Sequence, residues 1–380
     1  MNFFIAQLNP IVGDLEGNAK KILNVTGKAY SNSADMVLTP ELSLWGYPAK
    51  DLLLKKNLIE RQYSILDQLS ISIHKKYGNL SITVGIAEKI DDSFFPNLYN
   101  SIVLIEGGEW KTIARKIILP TYEVFDEKRY FRSEERVSVI SKKIKNKTYK
   151  LGITICEDLW VNENIEGRGI HKKNPISDLK SKKIDFLLNL SASPYTFEKS
   201  ELRNKISSFA AQYLQVPLIY INQVGANDDL IFDGNSFVMN KNGSRIKQLK
   251  SFSEDISSWD INNNSKVIDQ KKSSEIASVF DALVLGVKDY AKKCGFRSAL
   301  IGLSGGIDSA LVTVIATAAL GSENIFCFSM PSKWSSEHSK IDAKNLVARL
   351  NINLNTISIE NIMSSFEESF IESLNFKTEG

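Results

Sequence analysis

The stretch Arg297-Ser298-Ala299-Leu300-Ile301-Gly302-Leu303-Ser304-Gly305-Gly306-Ile307-Asp308-Ser309-Ala310, with the Ala-rich run Leu311–Leu320 behind it, decides how the last part of this chain is built. Arg297–Ile301 is short and mostly apolar and reads as a buried strand, while Leu311–Leu320 reads as a helix. Between them, Gly305 and Gly306 carry no Cβ atoms, so backbone N–H groups can come close to a bound anion. The N-terminus of the following helix adds about half a positive charge at the same place. Ser304 and Ser309 supply hydroxyl donors, and Asp308 is placed to reach a Mg²⁺ ion bridging phosphates. No Lys-Ser/Thr pair follows the glycines, so the pattern is not a Walker loop. A ligand-free Gly-rich turn is the plain alternative. The two serines, the acid and the strand–helix context together favour a phosphate cradle over it.

Around that loop the chain alternates. Glu275–Lys293 reads as a helix, Asn324–Ser329 as a strand, Ser335–Leu350 as a helix, Asn353–Ser358 as a strand and Asn361–Leu374 as a helix. Such alternation predicts a doubly wound parallel sheet, in which ligands bind at the carboxyl ends of strands. Asn262–Ser274 is rich in Asn, Ser, Lys and Asp, poor in large apolar residues, and reads as a linker. Before it come many short strands, among them Asn2–Leu8, Asp35–Thr39, Ser81–Ile86, Ser101–Glu106, Lys150–Cys156, Phe186–Leu190 and Pro217–Asn222. Amphipathic helices are expected at Asn18–Asn32, Leu58–Tyr77 and Ser200–Leu214, and no solenoid-type repeat is present. The expected organisation is therefore a domain over 1–261, a linker over 262–274 and a second domain over 275–380.

Composition narrows the function. With 380 residues and 43% hydrophobic content, the chain can bury two cores. A net charge of +3 is too small to call for nucleic acid or a membrane surface as partner. The Lys-rich stretch Lys142–Lys150 is interrupted by Asn, Thr and Tyr and reads as a solvated hairpin. Three widely spaced cysteines, Cys156, Cys294 and Cys327, make neither a disulfide framework nor a CxxC metal pattern, which points to a reducing compartment. No basic segment leads into a long apolar run, and no apolar run approaches a membrane span. A cytoplasmic location is expected.

Three residues of the first part sit at the carboxyl ends of predicted strands. Glu41 ends Met36–Pro40, Lys116 follows Thr112–Ala114, and Cys156 ends Lys150–Ile155. A carboxylate, an ammonium and a thiol in one pocket make a hydrolytic set. A free thiol, with a pKa of about 8.5, needs help to act at neutral pH. Glu41 is suited to take its proton and Lys116 to stabilise the oxyanion of a tetrahedral intermediate. No histidine lies near these segments, so nothing in the sequence supports a Cys-His protease arrangement. Taken singly, Cys156 reads as a small buried residue, Glu41 as a turn cap and Lys116 as a solvated charge. Cys294 and Cys327 read as core residues, and His338 as a surface residue near a helix start.

Pro40-Glu41-Leu42, Arg115-Lys116-Ile117-Ile118-Leu119-Pro120 and Ile155-Cys156-Glu157-Asp158-Leu159-Trp160 resemble, in this order, the Glu, Lys and Cys motifs of the nitrilase (carbon–nitrogen hydrolase) superfamily. Phe125–Phe131 and Asn222–Asp229 are similar, more narrowly, to the glutaminase domain of the glutamine-dependent NAD synthetase family, with Asn227-Asp228-Asp229 a slight departure from its pattern. Ser304–Ser309 resembles the pyrophosphate loop of the ATP pyrophosphatases, and Met330-Pro331-Ser332 with Ser335-Ser336 resembles that synthetase family's continuation. The resemblance covers nearly the whole chain. It implies a nitrilase-like four-layer α-β-β-α sandwich followed by a partial Rossmann-like doubly wound parallel sheet. It also implies that Glu41 is a general base, Lys116 an oxyanion stabiliser and Cys156 the nucleophile, with Glu123 as a fourth carboxylate orienting Lys116. By the same resemblance Tyr122, Ser193 and Lys199 bind glutamine. Gly302, Leu303, Ser304, Gly305, Gly306, Ile307, Asp308 and Ser309 bind ATP, with Asp308 on Mg²⁺.

The activity so implied is hydrolysis of glutamine in the first domain. The ammonia released would amidate deamido-NAD (nicotinic acid adenine dinucleotide) after ATP-dependent adenylation in the second. ATP and Mg²⁺ are the expected cofactors, and a homo-oligomer the expected assembly. Family members continue beyond position 380, so the resemblance implies a C-terminally incomplete synthetase domain. Two other readings stay open: a stand-alone glutaminase or amidase with a vestigial second domain, and a non-catalytic subunit needing a separate C-terminal partner chain.

Overall fold

The computed structural model describes residues 1–91, 94–160, 173–262, 266–268 and 274–374. The chain divides into two compact units, Met1–Glu275 and Ile276–Gly380. Of the stretch read as a linker, 263–265 and 269–273 lie outside the described residues.

The first unit is a four-layer sandwich of two six-stranded sheets. The first sheet draws on β1 (Asn2–Gln7), β2 (Met36–Leu38), β3 (Ser81–Lys89), β4 (Leu98–Glu106) and β5 (Glu109–Arg115), with α1 (Leu15–Ser31) and α2 (Lys56–Tyr77) between them in sequence. The second draws on β6 (Ser138–Ile144), β7 (Lys147–Ile155), β8 (Phe186–Ser191), β9 (Leu218–Asn222), β12 (Phe237–Met239) and β13 (Arg245–Gln248), with α3 (Pro175–Lys180) and α4 (Lys199–Leu214). A separate ribbon joins β10 (Val224–Asn227) to β11 (Leu230–Asp233). β14 (Asp255–Asp260) returns to the first sheet and pairs antiparallel with β1, Asn2 opposite Asp260. The strand orders are β14-β1-β2-β3-β4-β5 and β13-β12-β9-β8-β7-β6, with β1-β2-β3 and β7-β8-β9 parallel.

Side-chain alternation along the strands builds the layers. Phe3 and Ile5 of β1 point into the core between the sheets, where they meet Phe186, Leu188 and Ile219 of the second sheet. Phe4 and Ala6, one residue out of phase, join α1 and α2 through Ile22, Leu66 and Ile73. Leu187, Leu218 and Tyr220 face α3 and α4 through Leu179, Ile206 and Ala210. Both faces of each central strand are therefore covered, which is why these strands read as near-continuous apolar runs. Asp14 starts α1 by accepting the Gly17 N–H, and Gly78 in a left-handed conformation ends α2.

β6 and β7 form the expected hairpin, but Lys142 is not solvated. Its side chain is buried and pairs with Glu106 at the end of β4 and Ser81 at the start of β3 in the first sheet.

The second unit starts with α5 (Glu275–Cys294) and continues as β15 (Ala299–Gly302), α6 (Ile307–Leu320), β16 (Ile325–Ser329), α7 (Glu337–Leu350), β17 (Leu354–Thr356) and α8 (Glu360–Leu374). Its three strands are parallel in the order β15-β16-β17, with a small core around Ile301, Leu303, Ala316, Cys327 and Val347. This is the βαβαβ pattern of a Rossmann-like sheet. β15 is its edge strand and carries the glycine-serine loop at its carboxyl end.

Candidate active site

Glu41, Lys116 and Cys156 emerge from β2, β5 and β7 at the same end of the two sheets, and all three are buried. The Lys116 Nζ donates to Glu41 Oε1 at 2.7 Å and to Glu127 Oε1 at 2.7 Å. Glu41 also accepts from Asn100 Nδ2 at 2.7 Å and from the Ala192 N–H at 2.9 Å. Glu127 accepts from the Tyr47 hydroxyl at 2.8 Å, and its Oε2 is buried without a hydrogen-bond partner.

The carboxylate that joins Glu41 on Lys116 is therefore Glu127, and the expectation that Glu123 plays this part is corrected. Glu123 lies on the turn 121–126 with φ +52° and an exposed side chain. That turn is closed by Phe125 N–H to Tyr122 O and Glu127 N–H to Pro120 O, and Phe125 packs on the Tyr122 and Tyr47 rings. With Phe125 anchored inward, the chain turns Glu127 toward Lys116 and leaves Glu123 in water.

Cys156 sits at the head of the short turn Cys156–Leu159 with φ +46°, a left-handed conformation that costs a non-glycine residue about 1–3 kcal/mol. Asp158 holds the turn in place. Its Oδ2 accepts the Ile155 N–H at 3.0 Å, and its Oδ1 accepts Ile117 N–H at 3.0 Å and Ile118 N–H at 2.8 Å. One buried carboxylate thus stitches the nucleophile turn to the strand end that carries Lys116. Gly85 of β3 allows the Glu41 turn to close against the sheet, since a Cβ there would lie 2.2 Å from Leu42 N.

Burial dominates the electrostatics. Desolvation, followed by the charge of Glu41, pushes the Cys156 thiol well above its ordinary range, and Lys116 offsets only part of this. Desolvation works against the Lys116 ammonium, yet Glu127 and Glu41 together hold it well above its usual value. Glu127 is raised to about 7, by burial first and by the Glu41 charge, against the pull of Lys116. Asp158 is raised to about 7 by burial despite its three N–H donors. The resting site is thus a neutral thiol beside a firmly charged ammonium.

The residues expected to bind glutamine line the same region. The Tyr122 hydroxyl donates to the Glu157 carboxylate at 2.9 and 3.1 Å. Ser193 is buried, and its N–H donates to Asn222 Oδ1 at 2.8 Å. Lys199 is buried at the start of α4, with Nζ 5.3 Å from the Trp160 ring centre. The 222–229 motif supports Tyr47: Gln223 exchanges hydrogen bonds with the Tyr47 backbone at 3.1 and 3.0 Å, and Asn227 Nδ2 reaches Tyr47 O at 3.2 Å. Sequence alone assigns no role to Asn100, Glu127, Glu157 or Asp158. A signal exists for Glu157 and Asp158, which directly follow the cysteine, and for Glu127, which lies in the Phe125–Phe131 motif; none exists for Asn100. Cys327 is buried as expected, but Cys294 is exposed, and His338 is an exposed residue in the first turn of α7.

In the second unit α6 begins at Ile307, earlier than read from sequence, so Asp308 and Ser309 lie in its first turn. Gly306 is the N-cap and supplies no side-chain cap; Asp308 is an exposed acid one residue inside the helix. The serines brace the loop. Ser304 Oγ accepts the Gly306 N–H at 3.2 Å and lies 3.1 Å from Ser309 Oγ, which donates to Gly306 O at 3.0 Å. Leu303 N–H ties the loop to Phe328 O at 2.8 Å. Gly305 has φ +86°, and a Cβ there would lie 2.1 Å from Ser339 O, so only glycine fits. Among the described residues no cluster of three or more His, Cys, Asp or Glu could hold a metal. A lone carboxylate such as Asp308 suits a Mg²⁺ whose other ligands are phosphate oxygens and water.

A four-layer sandwich with a buried Glu-Lys-Cys cluster is consistent with the family model that matches residues 5–266, Carbon-nitrogen hydrolase; the model NAD synthase matches 279–379. The glutamine-dependent NAD(+) synthetase of Synechocystis sp. is 43% identical over 373 residues, which is 97% of this chain and 66% of the relative. The structure of glutamine-dependent NAD(+) synthetase from Acinetobacter baumannii in complex with ADP superposes with a TM-score of 0.88 at 33% identity, covering 100% of this chain and 68% of that one. An amidase of the nitrilase superfamily from Nesterenkonia, at 17% identity and a TM-score of 0.55, shares the fold of the first unit, covering 68% of this chain and 89% of its own. The chain belongs to the glutamine-dependent NAD(+) synthetase family, and spans about two thirds of the length of the relatives it matches. No helix among the described residues is long and apolar enough to cross a membrane.

Proposed function

We propose that this protein takes part in glutamine-dependent NAD synthesis, with residues 1–261 as a glutaminase domain and 275–380 as the N-terminal part of an ATP-binding synthetase domain. One observation carries the glutaminase reading: a buried ammonium, Lys116, gripped at 2.7 Å by Glu41 and Glu127 beside a strained, buried thiol. Because the thiol is neutral at rest, attack needs a base. Glu41 takes the Sγ proton as sulfur bonds to the side-chain amide carbon of glutamine, and Lys116 compensates the oxyanion. Glu41 then returns the proton to the leaving nitrogen. Ammonia departs, leaving a γ-glutamyl thioester on Cys156. Water, deprotonated by Glu41, cleaves the thioester to glutamate and restores the thiol. A zwitterionic substrate needs groups of both signs in its pocket, and buried Glu157 and Lys199 supply them, with Tyr122 and Ser193 adding hydrogen bonds.

In the second unit, the Gly302–Ser309 loop and the α6 N-terminus are suited to the phosphates of ATP. Asp308 would hold a Mg²⁺ ion that neutralises those phosphates. The nicotinate carboxylate of deamido-NAD attacks the α-phosphorus, pyrophosphate leaves, and ammonia displaces AMP to form the amide of NAD. Membership of the family and the likeness to the ADP-bound synthetase favour this over a stand-alone amidase or a non-catalytic subunit. A cytoplasmic homo-oligomer belongs to the same reading. The test is release of glutamate from glutamine by the wild-type chain and its loss in Cys156→Ser. Absence of glutaminase activity in wild-type protein whose Cys156 is still alkylated would overturn the reading.

A further inference from the structure

Outside the second sheet, beneath α4, lies an ion pair that the chemistry above does not use. Arg203 is 1% exposed, one turn after Lys199 on the buried side of α4. Its Nη2 donates to Asp233 Oδ1 at 2.6 Å and its Nη1 to Gly234 O at 3.5 Å, while its Nε is buried without a hydrogen-bond partner. Asp233 is 2% exposed. A buried pair of this kind, even with the Arg245 guanidinium close enough to feel both charges, returns little stability, because desolvating the charges offsets their attraction. Its location gives it another use.

Gly234 O also accepts from Asn222 Nδ2 at 3.1 Å, and Asn222 grips the backbone of Ser193 on both sides, accepting its N–H at 2.8 Å and donating to its carbonyl at 3.1 Å. The residue before, Ala192, donates its N–H to Glu41. Ser191 Oγ bonds Asn189 Oδ1 at 2.5 Å, and Asn189 Nδ2 reaches Cys156 O at 3.4 Å. A second tie, Asn235 Nδ2 to Ser200 Oγ at 2.9 Å, joins the same turn to the start of α4. The chain of contacts thus runs from α4 through Arg203, the 233–235 turn and Asn222 to the 191–193 segment.

We propose that Arg203 and Asp233 form a positioning pair that locks α4, and with it Lys199, at a set spacing from Ser193, so that the two groups expected to recognise glutamine are preorganised together. This rests on the reading of the pocket as a glutamine site. Glu41 keeps Asn100 and Lys116 when the 191–193 segment shifts, whereas the Ser193 backbone depends on Asn222. Loss of the pair therefore falls on substrate binding more than on the chemical step.

The experiment compares wild type, the charge-free double variant Arg203→Met/Asp233→Leu and the single variant Arg203→Lys. Glutamate release is measured against glutamine concentration and normalised to alkylation of Cys156 by iodoacetamide, read on the Cys156 peptide by mass spectrometry because exposed Cys294 also reacts. For the double variant KM should rise about tenfold and kcat change by less than about threefold, the scale of one or two lost hydrogen bonds confined to binding. Lysine keeps the charge but cannot bridge Asp233 and Gly234 O as a fork, so Arg203→Lys should fall between the two. The alkylation rate of Cys156, which needs no recognition groups, should stay at the wild-type value in both. A folded double variant with wild-type KM overturns the proposal. Should the double variant fail to fold, wild-type KM in Arg203→Lys overturns it equally. Wild-type protein that is alkylated at Cys156 yet inert toward glutamine overturns the substrate reading instead, before any variant is compared.

Discussion

Glu127→Gln separates the two glutamates that compete for the role of orienting Lys116. The amide keeps the side chain's shape and an acceptor for Tyr47 and Lys116, and deletes only the charge. Lys116 then has Glu41 as its single anionic partner, so Glu41 is bound more tightly and accepts the thiol proton less readily. A hydrogen bond to a charged group exceeds a neutral one by about 1–2 kcal/mol, which predicts a fall in kcat/KM of about 5- to 30-fold. Glu123→Gln, on an exposed side chain, should leave kcat/KM unchanged. The same substitution has a pH signature. Glu127 is raised to about 7, so its charge is present above that pH and lost below it. Wild-type glutaminase should decline as pH drops from about 8 to about 6, and Glu127→Gln should show a weaker limb, the remainder coming from Asp158. Stability runs the other way. A carboxyl raised on folding stabilises most below its unfolded pKa, here 4.5, and that contribution disappears as pH rises through about 7. Thermal melts between pH 4.5 and 7.5 should slope downward for wild type and less steeply for Glu127→Gln, the residual slope coming from Asp158, raised from 3.8 to about 7. Wild-type kinetics in Glu127→Gln together with a loss in Glu123→Gln would refute the assignment and the turn geometry behind it.

Other expectations follow from single contacts. Cys156→Ser should reduce glutamine hydrolysis by orders of magnitude, and a glutamine-shaped electrophile should label Cys156 while sparing exposed Cys294 and buried Cys327; mass spectrometry of the labelled peptides checks both. Gly85→Ala should destabilise by about 1–3 kcal/mol or more in denaturant unfolding and depress kcat, because its Cβ would fall 2.2 Å from Leu42 N and push the Glu41 turn off the sheet. Asp308→Ala should weaken Mg-ATP binding in calorimetry without altering labelling of Cys156. Equal ATP affinity would leave Asp308 as no more than a favourable charge in the first turn of α6.

Much of this protein is written locally. The glycine pair between an apolar strand and an Ala-rich helix specifies its own loop, because backbone approach and φ +86° at Gly305 are open only to glycine. Strand ends mark Glu41, Lys116 and Cys156, since buried apolar runs must stop where polar chemistry begins. What sequence could not decide is which distant groups meet them. Glu123 and Glu127 lie four residues apart and read alike; the inward packing of Phe125 on Tyr47 and Tyr122 selects Glu127. Asn100 reaches Glu41 from β4 and Ala192 from just beyond β8, and Asp158 joins two strand ends across the sandwich. Lys142 reads as solvated within its hairpin and is buried because the end of β4 in the opposite sheet supplies Glu106. β14 pairs with β1 across almost the whole first unit, a register that no local periodicity contains. In each case the deciding term is a low-dielectric contact between segments far apart in sequence, whose energy exists only once both sheets have packed.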